Sequence, residues 1–190
     1  MAYLTQVELE RLNFKHLGKD VKISDRASLD KCHLMSIGDQ SRIDDFCAVS
    51  GAVNIGRNVH IAVHCSITAS HDAVTLGDFS GLAFACHVFS SSDDYSGESL
   101  TNPTIPTKFK QIISAPVVIG KHTIVGAGSI IFPGVNLGEG TSIGAGAIVT
   151  KSTEPWGIYV GSPARRVKER SKKLLELENE FLRDFPYEED

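Results

Sequence analysis

Ile119-Gly-Lys-His-Thr-Ile-Val125-Gly-Ala-Gly-Ser-Ile-Ile131-Phe-Pro-Gly-Val-Asn-Leu137-Gly-Glu-Gly-Thr-Ser-Ile143-Gly-Ala-Gly-Ala-Ile-Val149 opens on an aliphatic residue every six positions. The same period runs through Ile37, Ile43, Val49, Ile55, Ile61 and Ile67, and is kept by Ile23 with Leu29 and by Leu76, Leu82 and Val88. These 17 units are interrupted by phase slips between Leu29 and Ile37 and between Ile67 and Leu76. The position after the aliphatic is often Gly or Asp (Gly38, Asp44, Gly56, Gly77, Gly120, Gly126, Gly138, Gly144), and the position four after it is small (Ser41, Cys47, Cys65, Ser80, Cys86, Thr123, Ser129, Thr141, Ala147).

Strict sixes would spiral around an α-helix, which wants mixed three-and-four spacing. In a strand, the aliphatic and the residue four later share one face. Gly and Asp tolerate turn conformations, so that column is expected at corners. Each unit then reads as one short strand plus a corner. Three units close a triangular coil of 18 residues, and coils stack in parallel about 4.8 Å apart. The predicted fold is an all-β parallel β-helix of five to six coils within one domain, residues 1–190. A dinucleotide-binding reading of Gly126-Ala-Gly128 and Gly144-Ala-Gly146 fails, because Ile131 and Val149 stand where the third glycine belongs.

Composition narrows the function. With 19 Lys and Arg against 23 Asp and Glu, the net charge of −4 offers no basic footprint for nucleic acid or an anionic membrane. No apolar run reaches the roughly 18 residues of a membrane span, and Met1 to Glu10 lacks the apolar core of a secretory signal, so a cytoplasmic location is expected. Cys32, Cys47, Cys65 and Cys86 form no C-x-x-C pair, and three of them fall in the small column, so they read as reduced, buried thiols.

Three segments leave the repeat. Thr5-Gln-Val-Glu8 is a capping-box pattern followed by Leu9 and Leu12, predicting a short helix in an N-terminal cap over residues 1–20. Val167, Leu174, Leu175, Leu177, Phe181 and Leu182 alternate with charged residues and predict a C-terminal amphipathic helix over 164–183, leading to a tail. Between Phe89 and Pro116 the period vanishes, and a loop of this length inside a compact domain is usually functional. Its Ile105, Phe109, Ile112 and Ile113 imply packing against a surface, such as a neighbouring subunit.

The units Ile119-Gly-Lys-His-Thr, Val125-Gly-Ala-Gly-Ser and Ile143-Gly-Ala-Gly-Ala, with Val149-Thr-Lys151 and Gly161-Ser-Pro163-Ala, resemble the hexapeptide-repeat acyltransferases over residues 20 to 170. Asp93-Asp-Tyr-Ser-Gly, Leu100-Thr-Asn-Pro and Trp156-Gly-Ile-Tyr-Val-Gly look like the branch acting on sugars for surface polysaccharides such as lipopolysaccharide O-antigen. Within it they are most similar to the dTDP-4-amino-4,6-dideoxyglucose acetyltransferases. The resemblance implies a left-handed β-helix, a homotrimer with inter-subunit active sites, acetyl-CoA as co-substrate and no metal. It also implies that Ala127 and Ala145 meet the pantetheine arm, with Thr150, Lys151, Arg165 and Arg166 toward the cofactor phosphates.

Where related enzymes carry a His that deprotonates a hydroxyl, this chain has Ser92-Asp93-Asp94-Tyr95. An ordinary carboxylate is a poor base for a sugar hydroxyl, whereas an amine needs less help. Asp93 is therefore the candidate catalytic group for N-acetylation of a nucleotide-linked amino sugar, with Asp94, Tyr95 and Asn102 holding the acceptor. A sugar O-acetyltransferase of the galactoside or maltose type is the alternative, with the base either His71, at a small-residue position just before a phase slip and so expected on a bulge near a coil corner, or His122, in an outward position. A zinc site would need a third ligand beyond such pairs as His60 with His64 or His87 with His122, and the sequence offers none. A noncatalytic scaffold would need neither the loop nor the late cationic positions.

Overall fold

The computed structural model describes residues 2–186; Met1 and the end of the predicted tail, 187–190, lie outside the described residues. Short strands stack in parallel on three faces, as the six-residue period requires. On the first face the inward residues are Leu17, Ile37, Ile55, Leu76, Ile119 and Leu137, each paired with the next, and Thr153 follows by a bridge. The second face stacks Ile23, Ile43, Ile61, Leu82, Val125, Ile143 and Tyr159. The third stacks Leu29, Val49, Ile67, Val88, Ile131 and Val149. Nearly all these side chains are buried, and each buried aliphatic contributes about 1.5–3 kcal/mol.

Two faces are therefore seven layers deep, more than the five to six coils expected. The added layers come from Leu17, inside the predicted N-terminal cap, and from Thr153 and Tyr159, which fill aliphatic positions without being aliphatic. The small column is buried as expected: Cys47, Cys65, Cys86, Ser129 and Ala147 line one inner corner. Each of the three thiols points at a carbonyl one layer on, Cys65 Sγ to Ala83 O at 3.0 Å, and the neighbouring thiols of Cys47 and Cys86, with burial adding to them, push the Cys65 pKa up.

The glycine column has a different cause from the one expected. Gly38, Gly56, Gly77, Gly120, Gly126 and Gly138 do not adopt positive φ. A Cβ at any of them would lie 2.5–2.7 Å from backbone of the next coil, so glycine is needed for close stacking. The left-handed positions come two residues later, at Gln40, Asn58, Phe79, His122, Gly128, Gly140 and Gly146.

Every departure from the period falls at one corner, between the third and first faces. The Leu29–Ile37 slip holds a 3-10 turn, Cys32–Leu34. The Ile67–Leu76 slip is bulged out of a continuous strand, Ser66–Leu76. One layer on, residues 89–116 leave the same corner as an antiparallel ribbon pairing Ser91–Asp93 with Ile112–Ser114. The bulge braces the ribbon's root: Ser114 Oγ donates to Asp72 Oδ2 at 2.6 Å, and Ser90 Oγ to Asp72 O at 2.7 Å.

Helix α1, Gln6–Arg11, is closed by the reciprocal Thr5–Glu8 capping box and buries Leu9 against the first coil. Helix α2, Leu174–Asp184, is shorter than the predicted 164–183. Arg165–Glu169 is instead a strand antiparallel to Gly157–Val160, because the last layer of the second face leaves an open edge that pairs more readily than it caps. No helix among the described residues is long and apolar enough to cross a membrane.

Candidate active site

The tip of the ribbon is organised around its two aspartates. Asp93 Oδ2 accepts the Asn102 N–H at 2.9 Å, and Lys110 Nζ stands 3.9 Å from Asp93 Oδ1 while donating to Asn102 O at 3.0 Å. Asp94 turns away from Asp93. Its carboxylate accepts the N–H groups of Ser96 (2.8 Å) and Ser99 (3.1 Å), and these bonds, the Ser96 amide first, hold its pKa below the usual carboxylate range. The two neighbouring carboxylates are thus engaged by separate partners. Asn102 joins the Asp93 cluster through its backbone, and its Oδ1 accepts from Thr104. Tyr95 is 87% exposed, and Leu100, Phe109 and Ile113 also expose apolar surface. Among the described residues, the hydrogen bonds of 94–111 run within the loop or to Asp93.

The predicted cofactor residues divide between two places. Ala127 and Ala145 stack on the corner between the second and third faces, where Gly146 N–H donates to Ala127 O at 2.8 Å. Thr150 and Lys151 lie beyond the strand Ile148–Val149, at the corner from which the ribbon also leaves. Lys151, Arg165 and Arg166 line one cavity of about 320 Å³ with Tyr159 and Ala164. Arg165 Nη1 donates to Ala164 O, and Arg166 pairs with exposed Glu169. The arrangement gathers three cationic side chains around one cavity at the end of the solenoid, a chemistry suited to anionic groups. Within one chain, the third face stands between the ribbon's root and the Ala127–Ala145 edge.

Of the two reserve histidines, His122 departs from its expected outward position. His122 is not outward but 7% exposed, stacked on Phe79 (5.3 Å between centroids) and bonded through Nε2 to Glu178 Oε2 at 2.8 Å. It faces α2 at the first-to-second corner, away from the ribbon. Lys121 Nζ meets the other Glu178 oxygen at 2.5 Å, and Arg170 Nη1 donates to His122 O and Gly140 O. Burial presses the Arg170 pKa below its usual value. A cavity of about 540 Å³ lies beside this clamp, lined by Ser80, Ile124 and Leu177 among others. The backbone of His71 lies in the bulged strand, and its side chain is outside the described residues. His60 is tied to Asp44 Oδ2 (2.9 Å), His87 to Ser66 Oγ (2.7 Å), and His64 stacks on Phe46. Among the described residues no three His, Cys, Asp or Glu side chains are grouped to hold a metal ion.

Sequence reasoning missed Lys110. A lysine inside an irregular loop carries no periodic signal, and only the ribbon's fold brings it to Asp93.

Residues 116–151 match the family model described as hexapeptide repeat of succinyl-transferase. The chain is 45% identical over 184 residues to dTDP-4-amino-4,6-dideoxy-D-glucose acyltransferase of Escherichia coli, covering 95% of each chain. It is 37% identical over 119 residues to nodulation protein L of Rhizobium meliloti (strain 1021), covering 63% of this chain and 61% of that one. Among solved structures it is similar to AntD, an N-acyltransferase from Bacillus cereus, in complex with dTDP and 3-hydroxybutyryl-CoA. The TM-score is 0.95 at 42% identity, covering 97% of this chain and 98% of that one. A substituted form of AntD in complex with dTDP-4-amino-4,6-dideoxyglucose and coenzyme A superposes with a TM-score of 0.96, at 42% identity and 97% and 99% coverage.

Proposed function

The chain belongs to the hexapeptide-repeat acyltransferases, and from that premise we propose that it transfers an acetyl group from acetyl-CoA to the 4-amino group of dTDP-4-amino-4,6-dideoxyglucose. The observation that carries this reading is the 45% identity to the Escherichia coli acyltransferase across 95% of both chains, loop included. AntD, bound to this sugar nucleotide and coenzyme A, supports it with the same fold.

The amine lone pair attacks the thioester carbonyl, a C–N bond forms, the C–S bond breaks, and CoA leaves as the thiol. The nitrogen sheds one proton to reach the amide. Asp93 receives it, its carboxylate being held in place by the Asn102 N–H, and passes it on to the departing sulfur, which completes the thiol. Asp94, through its bonds to Ser96 and Ser99, shapes the turn that presents Tyr95 and Asn102 to the sugar. Thr150, Lys151, Arg165 and Arg166 take the cofactor phosphates, and Ala127 and Ala145 leave room for the pantetheine arm.

The active form is a homotrimer. The ribbon exposes apolar side chains and has its root one face away from the Ala127–Ala145 edge, so a neighbouring copy completes the site. The protein works in the cytoplasm, and its product serves surface polysaccharide such as lipopolysaccharide O-antigen. The buried, bonded state of His122 disfavours a hydroxyl acceptor with that residue as base.

The test is release of free CoA thiol from acetyl-CoA with dTDP-4-amino-4,6-dideoxyglucose, run beside simple galactosides and maltose. Release with the amino sugar alone is the expected result. Release only with hydroxyl acceptors overturns N-acylation.

A further inference from the structure

The backbone of Asn102 is gripped from both sides. Its N–H donates to Asp93 Oδ2 at 2.9 Å, and its carbonyl accepts from Lys110 Nζ at 3.0 Å. Asn102 holds φ of 73°, a left-handed turn that its own Oδ1 secures by accepting from Thr104. The bridge between Leu100 and Lys110, with the Leu100 N–H donating to Phe109 O, brings the lysine to this turn.

This grip leaves one oxygen of Asp93 for a substrate. Oδ2 is taken by the Asn102 N–H, whereas Oδ1 lies 3.9 Å from Lys110 Nζ, beyond hydrogen-bond reach. Lys110 therefore sets a positive charge beside Oδ1 without occupying its lone pairs. The lysine side chain is only 9% exposed and that of Asp93 is 34% exposed, so solvent screens the pair incompletely. Among the described residues, the other charged groups of the ribbon tip and of the strand packed on its root are engaged elsewhere or open to solvent. Asp94 binds Ser96 and Ser99, Asp72 binds Ser114, the Lys108 ammonium lies over the Phe109 ring, and Glu98 is exposed.

A cation beside the proton acceptor matters because the nucleophile has to be a neutral amine. An isolated carboxylate favours the ammonium form of a bound amine, and so removes the lone pair that must attack. An amine of the α-amino type titrates near pH 8, close enough to neutrality for this preference to govern the rate. A carboxylate already balanced by a fixed cation accepts a hydrogen bond from the neutral amine without drawing a proton onto it.

We propose that Lys110 is a positioning residue that balances the charge of Asp93, so that the acceptor sugar is held as its free amine. This rests on the acyltransferase reading and deepens it, giving the loop control over the protonation state of the nucleophile.

The test is the pH dependence of single-turnover acetyl transfer at saturating dTDP-4-amino-4,6-dideoxyglucose, in the unsubstituted protein and in Lys110→Gln, Lys110→Met and Lys110→Arg. Lys110→Gln keeps a donor for Asn102 O without the charge, Lys110→Met loses both, and Lys110→Arg keeps both. With the bound amine's pKa raised by about one unit, transfer in Lys110→Gln and Lys110→Met should fall about tenfold at pH 7 but only about twofold at pH 9. KM for the sugar nucleotide should not rise, and Lys110→Arg should restore the original profile. A loss of equal size at every pH, or a loss in Lys110→Met that Lys110→Gln escapes, overturns charge balance and leaves Lys110 as a clasp of the loop. Unchanged rates in both variants overturn it as well. Each of these results leaves the acyltransferase reading standing. Absence of transfer by the unsubstituted protein overturns that reading and the proposal with it.

Discussion

Asp93 Oδ2 accepts the backbone N–H of Asn102 at 2.9 Å, so the proposed proton acceptor is also the clasp of its own loop. The two roles separate by substitution. Asp93→Asn keeps an oxygen for the Asn102 N–H but removes the charge, and should lower kcat about 100-fold or more with little change in coenzyme A affinity. Asp93→Ala removes the acceptor as well and should also open residues 94–111 to limited proteolysis. Full turnover in Asp93→Asn would leave the clasp as the residue's whole role.

Lys151 and Arg165 line the same end cavity, and each should contribute a charge-assisted contact to a cofactor phosphate. Lys151→Ala should weaken coenzyme A about tenfold, consistent with roughly 1.5–3 kcal/mol for hydrogen bonds to charged groups. Calorimetry with coenzyme A, and with its dephospho form as control, reads the effect. An unchanged affinity would place the phosphates elsewhere.

Glu178 makes the docking of α2 sensitive to acid. Burial raises its pKa, but hydrogen bonds from Lys121 and His122 outweigh burial and hold it below the usual carboxylate value. A carboxylate with a depressed folded pKa stabilises fully above the unfolded value, about 4.3, and loses that contribution as pH falls through the folded value. Thermal stability should therefore be flat above about pH 5 on this account and fall below it. Glu178→Gln should cost about 1–3 kcal/mol at pH 7 and flatten the acid decline. Trp156 fluorescence reports the event locally, since Trp156 lies at the same corner, 6.4 Å from the His122 ring.

Gly126 and Gly128 differ in why they are glycine. A Cβ on Gly126 would lie 2.5 Å from Ala145 N, whereas Gly128 has open space but φ of 69°. Gly126→Ala should force two coils apart and cost about 3 kcal/mol, the top of the usual range for overpacking. Gly128→Ala should cost about 1–2 kcal/mol, the strain of a left-handed L-residue. Urea unfolding of the two variants checks the order, and the reverse order would refute close stacking as the cause.

Trimerisation is testable through Ile113 and Phe109, exposed on the ribbon. Replacing both by Ser should shift the oligomer toward smaller species in sedimentation velocity and lower turnover in parallel, with secondary structure unchanged by circular dichroism.

The amino-acid sequence by itself determined the solenoid, the buried small column, the α1 capping box and the position of the long loop. Each is written in local spacing, and a six-residue period leaves few ways to bury one aliphatic per unit. It also carried the candidate residues Asp93 and Lys151, through motif resemblance. Only the tertiary structure decided which residues meet across layers. Asp72 supports Ser114 from 42 positions away, and Glu178 reaches back 56 positions to bury His122. The same holds for the glycine column, whose cause is the backbone of the next coil, and for Arg165–Glu169, which an open sheet edge draws out of helix. The period assigns a residue to a face, but insertions at the corners decide which layer it stands beside, and those contacts are absent from any local window of sequence.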